Sequence, residues 1–111
     1  MVDLSIMDKK TIGKLFDLAV LPKNTTEADV RKGAKDAIAY NTNILQVSSP
    51  FWLPVVCEEL KGSTVRPSCC IAFPFGSTTA LVKATEAEQA VKIGAKVLDM
   101  AMNVGALRSK D

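Results

Sequence analysis

Four short apolar runs, at residues 15–21, 44–48, 68–73 and 96–103, recur along the chain at nearly constant spacing. With Asp17, Leu45, Cys70 and Leu98 as markers, the intervals are 28, 25 and 28 residues. Each interval has the length of one strand plus one helix and their loops. A parallel strand pair needs a crossover of about a dozen residues or more, so this recurrence restricts the chain to parallel βα units. Strands are predicted near 15–20, 44–48, 68–73 and 96–102, parallel and joined by helices.

The gaps carry helical patterns. In the first, Thr26 can cap a helix and Asp29 sits in its first turn; Val30, Ala34, Ala37 and Ile38 then share one face. Gly33 weakens that helix slightly. The second gap opens with Pro50, tolerates Pro54 in its first turn, and runs to Leu60 before Lys61-Gly62. The third helix spans 79–93, with Ala84, Ala87 and Val91 as its stripe and Gly94 as its stop. A short helix within 7–16 can lead into the first strand, and the chain is read as ending in the loop after strand four.

Composition excludes several functions. Hydrophobic residues make up 48% and charged residues 23%, an ordinary globular balance. The net charge is +2 with no basic block, so neither nucleic acid nor a membrane is expected as a partner. Histidine is absent, which removes the commonest general base and metal ligand. Cys57, Cys69 and Cys70 are odd in number, and the adjacent pair would point to opposite faces of a strand. No disulfide framework, metal site or cofactor is expected, and the cysteines read as small buried hydrophobes of a reducing cytosol. Residues 1–12 hold no continuous apolar segment, and no run reaches membrane-spanning length, so a cytoplasmic location is expected.

Three ordered blocks resemble a known family. The stretch Val97-Leu98-Asp99-Met100-Ala101-Met102-Asn103-Val104-Gly105-Ala106-Leu107 is very similar to the deoxyribose-phosphate aldolase pattern of a strand aspartate followed by Asn-hydrophobic-Gly-Ala-Leu. Phe73-Pro74-Phe75-Gly76-Ser77-Thr78-Thr79, continuing through Val82-Lys83 to Glu86-Ala87, matches a second block, and Phe16-Asp17-Leu18 a weaker third. The resemblance runs from about Leu15 to Ser109. It implies an α/β fold in which residues 1–111 form one N-terminal segment, about half of a TIM (β/α)8 barrel, with the strands in sequential order and the helices on one side. Departures are Ala19 where the family commonly has threonine, Val47 at a frequent cysteine position, and Ser49 at a frequent asparagine.

The implied activity is that of a class I aldolase, cleaving 2-deoxyribose 5-phosphate to acetaldehyde and glyceraldehyde 3-phosphate through a lysine Schiff base. The substrates would be small aldehydes and sugar phosphates. In that family the two lysines and the phosphate-binding loops lie in the second half of the barrel, outside this sequence. The partner would be a complementary C-terminal half or a second copy, because a half-barrel leaves open two strand edges and an inner face, the latter expected to carry Val47, Ala101 and other apolar residues. The chain alone is not expected to be active. The alternative is a non-catalytic half-barrel, a degenerate aldolase-like module acting by assembly.

Alternation in strand four puts Val97, Asp99, Ala101 and Asn103 on one face and Leu98, Met100 and Met102 on the other. The large apolar side chains belong toward helices, so Asp99 is expected to face the interior, buried; the resemblance implies a proton-transfer role beside the Schiff-base lysine, and a structural ion pair is the alternative. Asp17 is the second catalytic candidate, in the same polar cluster or as a strand-end hydrogen-bonding residue. Asn103 is the substrate-binding candidate, although Asn-Val-Gly is also good turn chemistry. Gly76-Ser77-Thr78-Thr79 offers backbone N–H groups to an anion or simply starts a helix. Lys9, Lys10, Lys14, Lys32, Lys35, Lys61, Lys83 and Lys92 fall on helices or their ends, Lys23 and Lys110 in loops, and Lys96 at the start of strand four. None has the desolvated setting of a Schiff-base lysine.

Overall fold

The computed structural model describes residues 3–109; Lys110, assigned above to a loop, lies outside them. Strands β1 (Asp17–Val20), β2 (Ile44–Val47), β3 (Arg66–Ile71) and β4 (Val97–Met100) form one parallel sheet in the order β1-β2-β3-β4. Sequential order with a helix between each pair is the topology of consecutive barrel units, not of a sheet wound in both directions. The helices are α1 (Lys9–Gly13), α2 (Glu27–Tyr40), α3 (Leu53–Glu59), α4 (Ala80–Ile93) and α5 (Val104–Ser109), with a 3₁₀ turn at Pro50–Trp52. The short α5 occupies a segment for which the sequence predicts a loop. Its start is fixed by Asn103, whose side-chain oxygen accepts from the Ala106 N–H at 3.0 Å.

Helix ends follow local chemistry. Thr26 and Asp29 form a full capping box at the start of α2, and Asn41 closes that helix in the left-handed conformation. Asp8 caps α1 through the Thr11 N–H, and Thr79 caps α4. Across the helix layer, Arg31 of α2 pairs with Glu58 at 3.2 Å and with Glu59, both near the end of α3, and with Glu27 one turn earlier.

The core lies between the outer face of the sheet and helices α2, α3 and α4. Leu45 and Val47 of β2, Cys69 and Ile71 of β3, Val30, Ala34 and Ala37 of α2, Leu53 and Val56 of α3 and Ala90 of α4 are all fully buried there. Each large aliphatic side chain among them contributes roughly 1.5–3 kcal/mol by leaving water. Val47, placed by the sequence reading on the open inner face, therefore belongs to the helix-packed core. Parity of the register decides this, because Val47 pairs with Cys69 and Val20, which also face the helices.

Two predicted helix stripes are rotated. Ile38 is 41% exposed, and Gly33 takes its place at the sheet. On α4, Ala84 is exposed and Val91 is 57% exposed, whereas Ala90 is buried and Ala87 packs at the margin of the core. Helix α4 covers only part of the outer face of β4: Leu98 packs on the core, but Met100 and Met102 are 52% and 60% exposed. Strands β1 and β4 each have one neighbour, leaving one unpaired edge apiece among the described residues. No helix among the described residues is long and apolar enough to cross a membrane.

Candidate active site at the inner face

Pairing register defines the inner face. Ala19, Gln46, Ser68 and Val97 lie side by side across the four strands, and one step further along, Cys70 pairs with Asp99. Adjacent cysteines thus separate as alternation requires. Cys69 enters the core, and Cys70, 3% exposed, faces inward. Ser68 is fully buried, and its hydroxyl has no partner among the described residues.

The polar centre of this face is Gln46. Its Nε2 donates to Asp99 Oδ2 at 3.0 Å and lies 2.8 Å from Cys70 Sγ. These three residues line a hollow of about 220 Å³ together with Leu21, Phe73 and Ala101, at the C-terminal ends of the strands. That end is where barrel enzymes build their sites. Asp99 points inward, but it is exposed rather than buried, because the described residues leave this face open. Burial pushes the Cys70 thiol above its ordinary range; the Gln46 N–H acts against that rise, and the Asp99 charge adds to it.

Two braces from α4 fix the loops around the hollow. Lys83 Nζ donates to the Ala101 carbonyl at 2.8 Å, two residues beyond Asp99. One turn later, Glu86 Oε2 accepts from the Ala72 N–H at 2.8 Å, where the chain leaves β3 with a positive φ of 56°. Lys83 is thus half-buried and committed to a carbonyl, not a free surface lysine. Lys14 behaves similarly, donating to the carbonyls of Thr42 and Thr64 at 2.9 Å each. Between the two loops, Gly76 (φ 63°) lies so close to β4's exit that a Cβ would meet the Met102 carbonyl oxygen at 2.1 Å. Its segment is therefore a packing joint. Thr79, at its end, turns its hydroxyl to the α4 N-terminus itself.

The other candidates are placed apart from Asp99. Asp17 accepts from Asn43 Nδ2 at 2.8 Å, pairs in register with Ile44, and lines a separate hollow between α1 and β1 with Lys9, Phe16 and Tyr40. That hollow, about 330 Å³, is larger than the one at Asp99, but it is mostly an apolar crevice. Of the two settings expected for Asp17, the strand-end hydrogen-bonding one is observed, and a polar cluster shared with Asp99 is not formed among the described residues. Asn103 lies just past β4, engaged in capping α5. Sequence reading missed Gln46. Its signal was a lone amide in the run Ile44-Leu45-Gln46-Val47, legible only once the register shows which side it faces. Among the described residues no cluster of three metal-ligating side chains occurs.

No family model matches the chain. A curated deoxyribose-phosphate aldolase of Clostridium tetani is 39% identical over 99 residues, covering 89% of this chain and 45% of that protein. Among solved structures, a putative deoxyribose-phosphate aldolase from Coccidioides immitis superposes with a TM-score of 0.86 at 26% identity, covering 93% of this chain and 40% of that one. The deoxyribose phosphate aldolase of Aeropyrum pernix, described as tetrameric, superposes with a TM-score of 0.80 at 23% identity, over 89% of this chain and 42% of its own. The chain thus spans less than half the length of the relatives it matches. In sequence and in fold, it corresponds to the N-terminal half of a deoxyribose-phosphate aldolase barrel.

Proposed function

We propose that this chain supplies the first four βα units of a Schiff-base aldolase that cleaves 2-deoxyribose 5-phosphate to acetaldehyde and glyceraldehyde 3-phosphate. The observation that carries this reading is Asp99, inward-facing at the C-terminal end of β4 and held by Gln46. A carboxylate so placed can take a proton from the reacting carbon, directly or through water, and return it. Asp17 and Asn103 are proposed as secondary proton-transfer and substrate-binding residues. The amine that forms the Schiff base comes from outside these residues, because Lys14 and Lys83 are tied to carbonyls. The open inner face and the two free strand edges fit completion by the second half of a barrel.

Borohydride reduction traps a Schiff base irreversibly and so tests this reading. The chain alone, treated with acetaldehyde, is expected to be labelled no faster than surface amines. Combined with the second half of the barrel, it is expected to form an adduct on that half, stoichiometric with it. Stoichiometric labelling of a lysine within 1–111 would move the chemistry into this chain.

A further inference from the structure

Gln46 is 7% exposed, in a strand whose other residues are all buried and apolar. An amide in such a place destabilises the fold unless its hydrogen bonds are made. A valine or leucine would fill the same space without that cost. Its NH₂ group has two protons, and the geometry commits one toward Asp99 and one toward Cys70. Neither partner is local: the amide reaches from β2 past β3 to β4, 24 and 53 residues along the chain.

The character of the donor matters as much as its position. Among the described residues, Asp99 makes no ion pair, and Gln46 is its only side-chain hydrogen-bond donor. A cation there would orient the carboxylate and also cancel its charge. A neutral amide orients it and leaves the charge available. With Oδ2 held by the amide, Oδ1 is left to exchange a proton.

We propose that Gln46 is the positioning residue for Asp99, fixing the carboxylate toward the interior by bridging it to Cys70. The proposal rests on the aldolase reading above. Gln46 does not touch the reacting atoms; it acts through Asp99. In the chain combined with the second half of the barrel, Gln46→Met, which keeps the length but donates nothing, should lower kcat about tenfold with KM within about twofold. Gln46→Glu sets a second carboxylate against Asp99 and should lose at least as much at neutral pH. Near pH 5, where the introduced carboxyl can be protonated and donate again, it should regain most of that loss, whereas Gln46→Met should not. A merely structural defect would not recover with pH.

Asp99→Asn, expected to slow turnover roughly 10²-fold, is the reference. If it slows cleavage while both Gln46 variants match wild type at every pH, the positioning role is overturned and the aldolase reading stands. If the wild-type combination cleaves nothing, the aldolase reading falls, and the clamp itself is judged on this chain alone. Cys70 alkylation, followed in a Cys57→Ser background, should then slow roughly three- to tenfold in Gln46→Met, because the lost N–H no longer supports the thiolate. An unchanged alkylation rate overturns the clamp as well.

Discussion

Gly33 of α2 lies against Val20 of β1 so closely that a Cβ at position 33 would meet Val20 Cγ2 at 2.6 Å. Leu45 Cδ1 and Leu18 Cδ2 stand at 3.6 and 3.8 Å around the same point. Helix and sheet therefore approach at a distance that only glycine allows. On an exposed helix surface, Gly→Ala would stabilise by roughly 1 kcal/mol through helix propensity. Here the overpacking term, typically about 1–3 kcal/mol, acts against it. Gly33→Ala is expected to lower the urea midpoint, and a raised midpoint would show that α2 can retreat from β1 without loss.

The cysteines should be distinguishable by reactivity. Cys57 is partly accessible, while Cys69 and Cys70 are 0% and 3% exposed. A thiol reagent should label Cys57 first, Cys70 slowly through the hollow at the inner face, and Cys69 only after denaturation. Burial pushes the Cys69 thiol up to about 12 from an ordinary 9.0. In that window the unfolded chain ionises the thiol while the folded chain keeps its proton, so folding binds the proton and stability falls as pH rises. The Cys69 contribution is complete below pH 9 and is lost between pH 9 and about 12. Cys69→Val, which cannot titrate, should flatten this part of the stability–pH curve; an unchanged slope would assign it to other groups.

The α4 braces are separable by substitution. Lys83→Met removes the bond to the Ala101 carbonyl and keeps the packing of the alkyl chain; it should cost about 1 kcal/mol. Glu86→Leu strands the half-buried Ala72 N–H at the exit of β3 and should cost about 1–3 kcal/mol, the larger effect because a donor partly shielded from water is left unpaired. Amide exchange at Ala72 should accelerate in the Glu86 variant and change little in the Lys83 variant. Equal acceleration in both would mean that the two loops open as one unit.

Association should follow from the unfinished surfaces. Leu81, Val82, Val91 and Met100 are between 51% and 77% exposed around α4 and the free edge of β4. Large apolar side chains clustered beside an unpaired strand favour self-association. Sedimentation of the chain alone should show concentration-dependent species at low micromolar concentration. A sharp, two-state monomer over that range would show that the half-barrel is complete in itself.

What was legible from sequence alone is what local chemistry fixes. The βα recurrence, the parallel strands, the cap at Thr26 and the opposite faces of Cys69 and Cys70 depend on spacing and neighbouring residues. Asp99 could be placed on the inner face because alternation along one strand needs no partner. The tertiary structure decided the rest, because it depends on distances between elements. Whether Val47 or Gln46 faces inward turns on a one-residue parity that four apolar or uncharged residues in β2 cannot signal. Whether Ile38 or Gly33 meets the sheet turns on how closely α2 approaches Val20. Asp17 and Asp99 both lie in strands of one sheet, yet the register and their separate donors, Asn43 and Gln46, keep them in different surroundings. Gln46 itself gains meaning only when folding brings residues 24 and 53 positions away within reach of one amide.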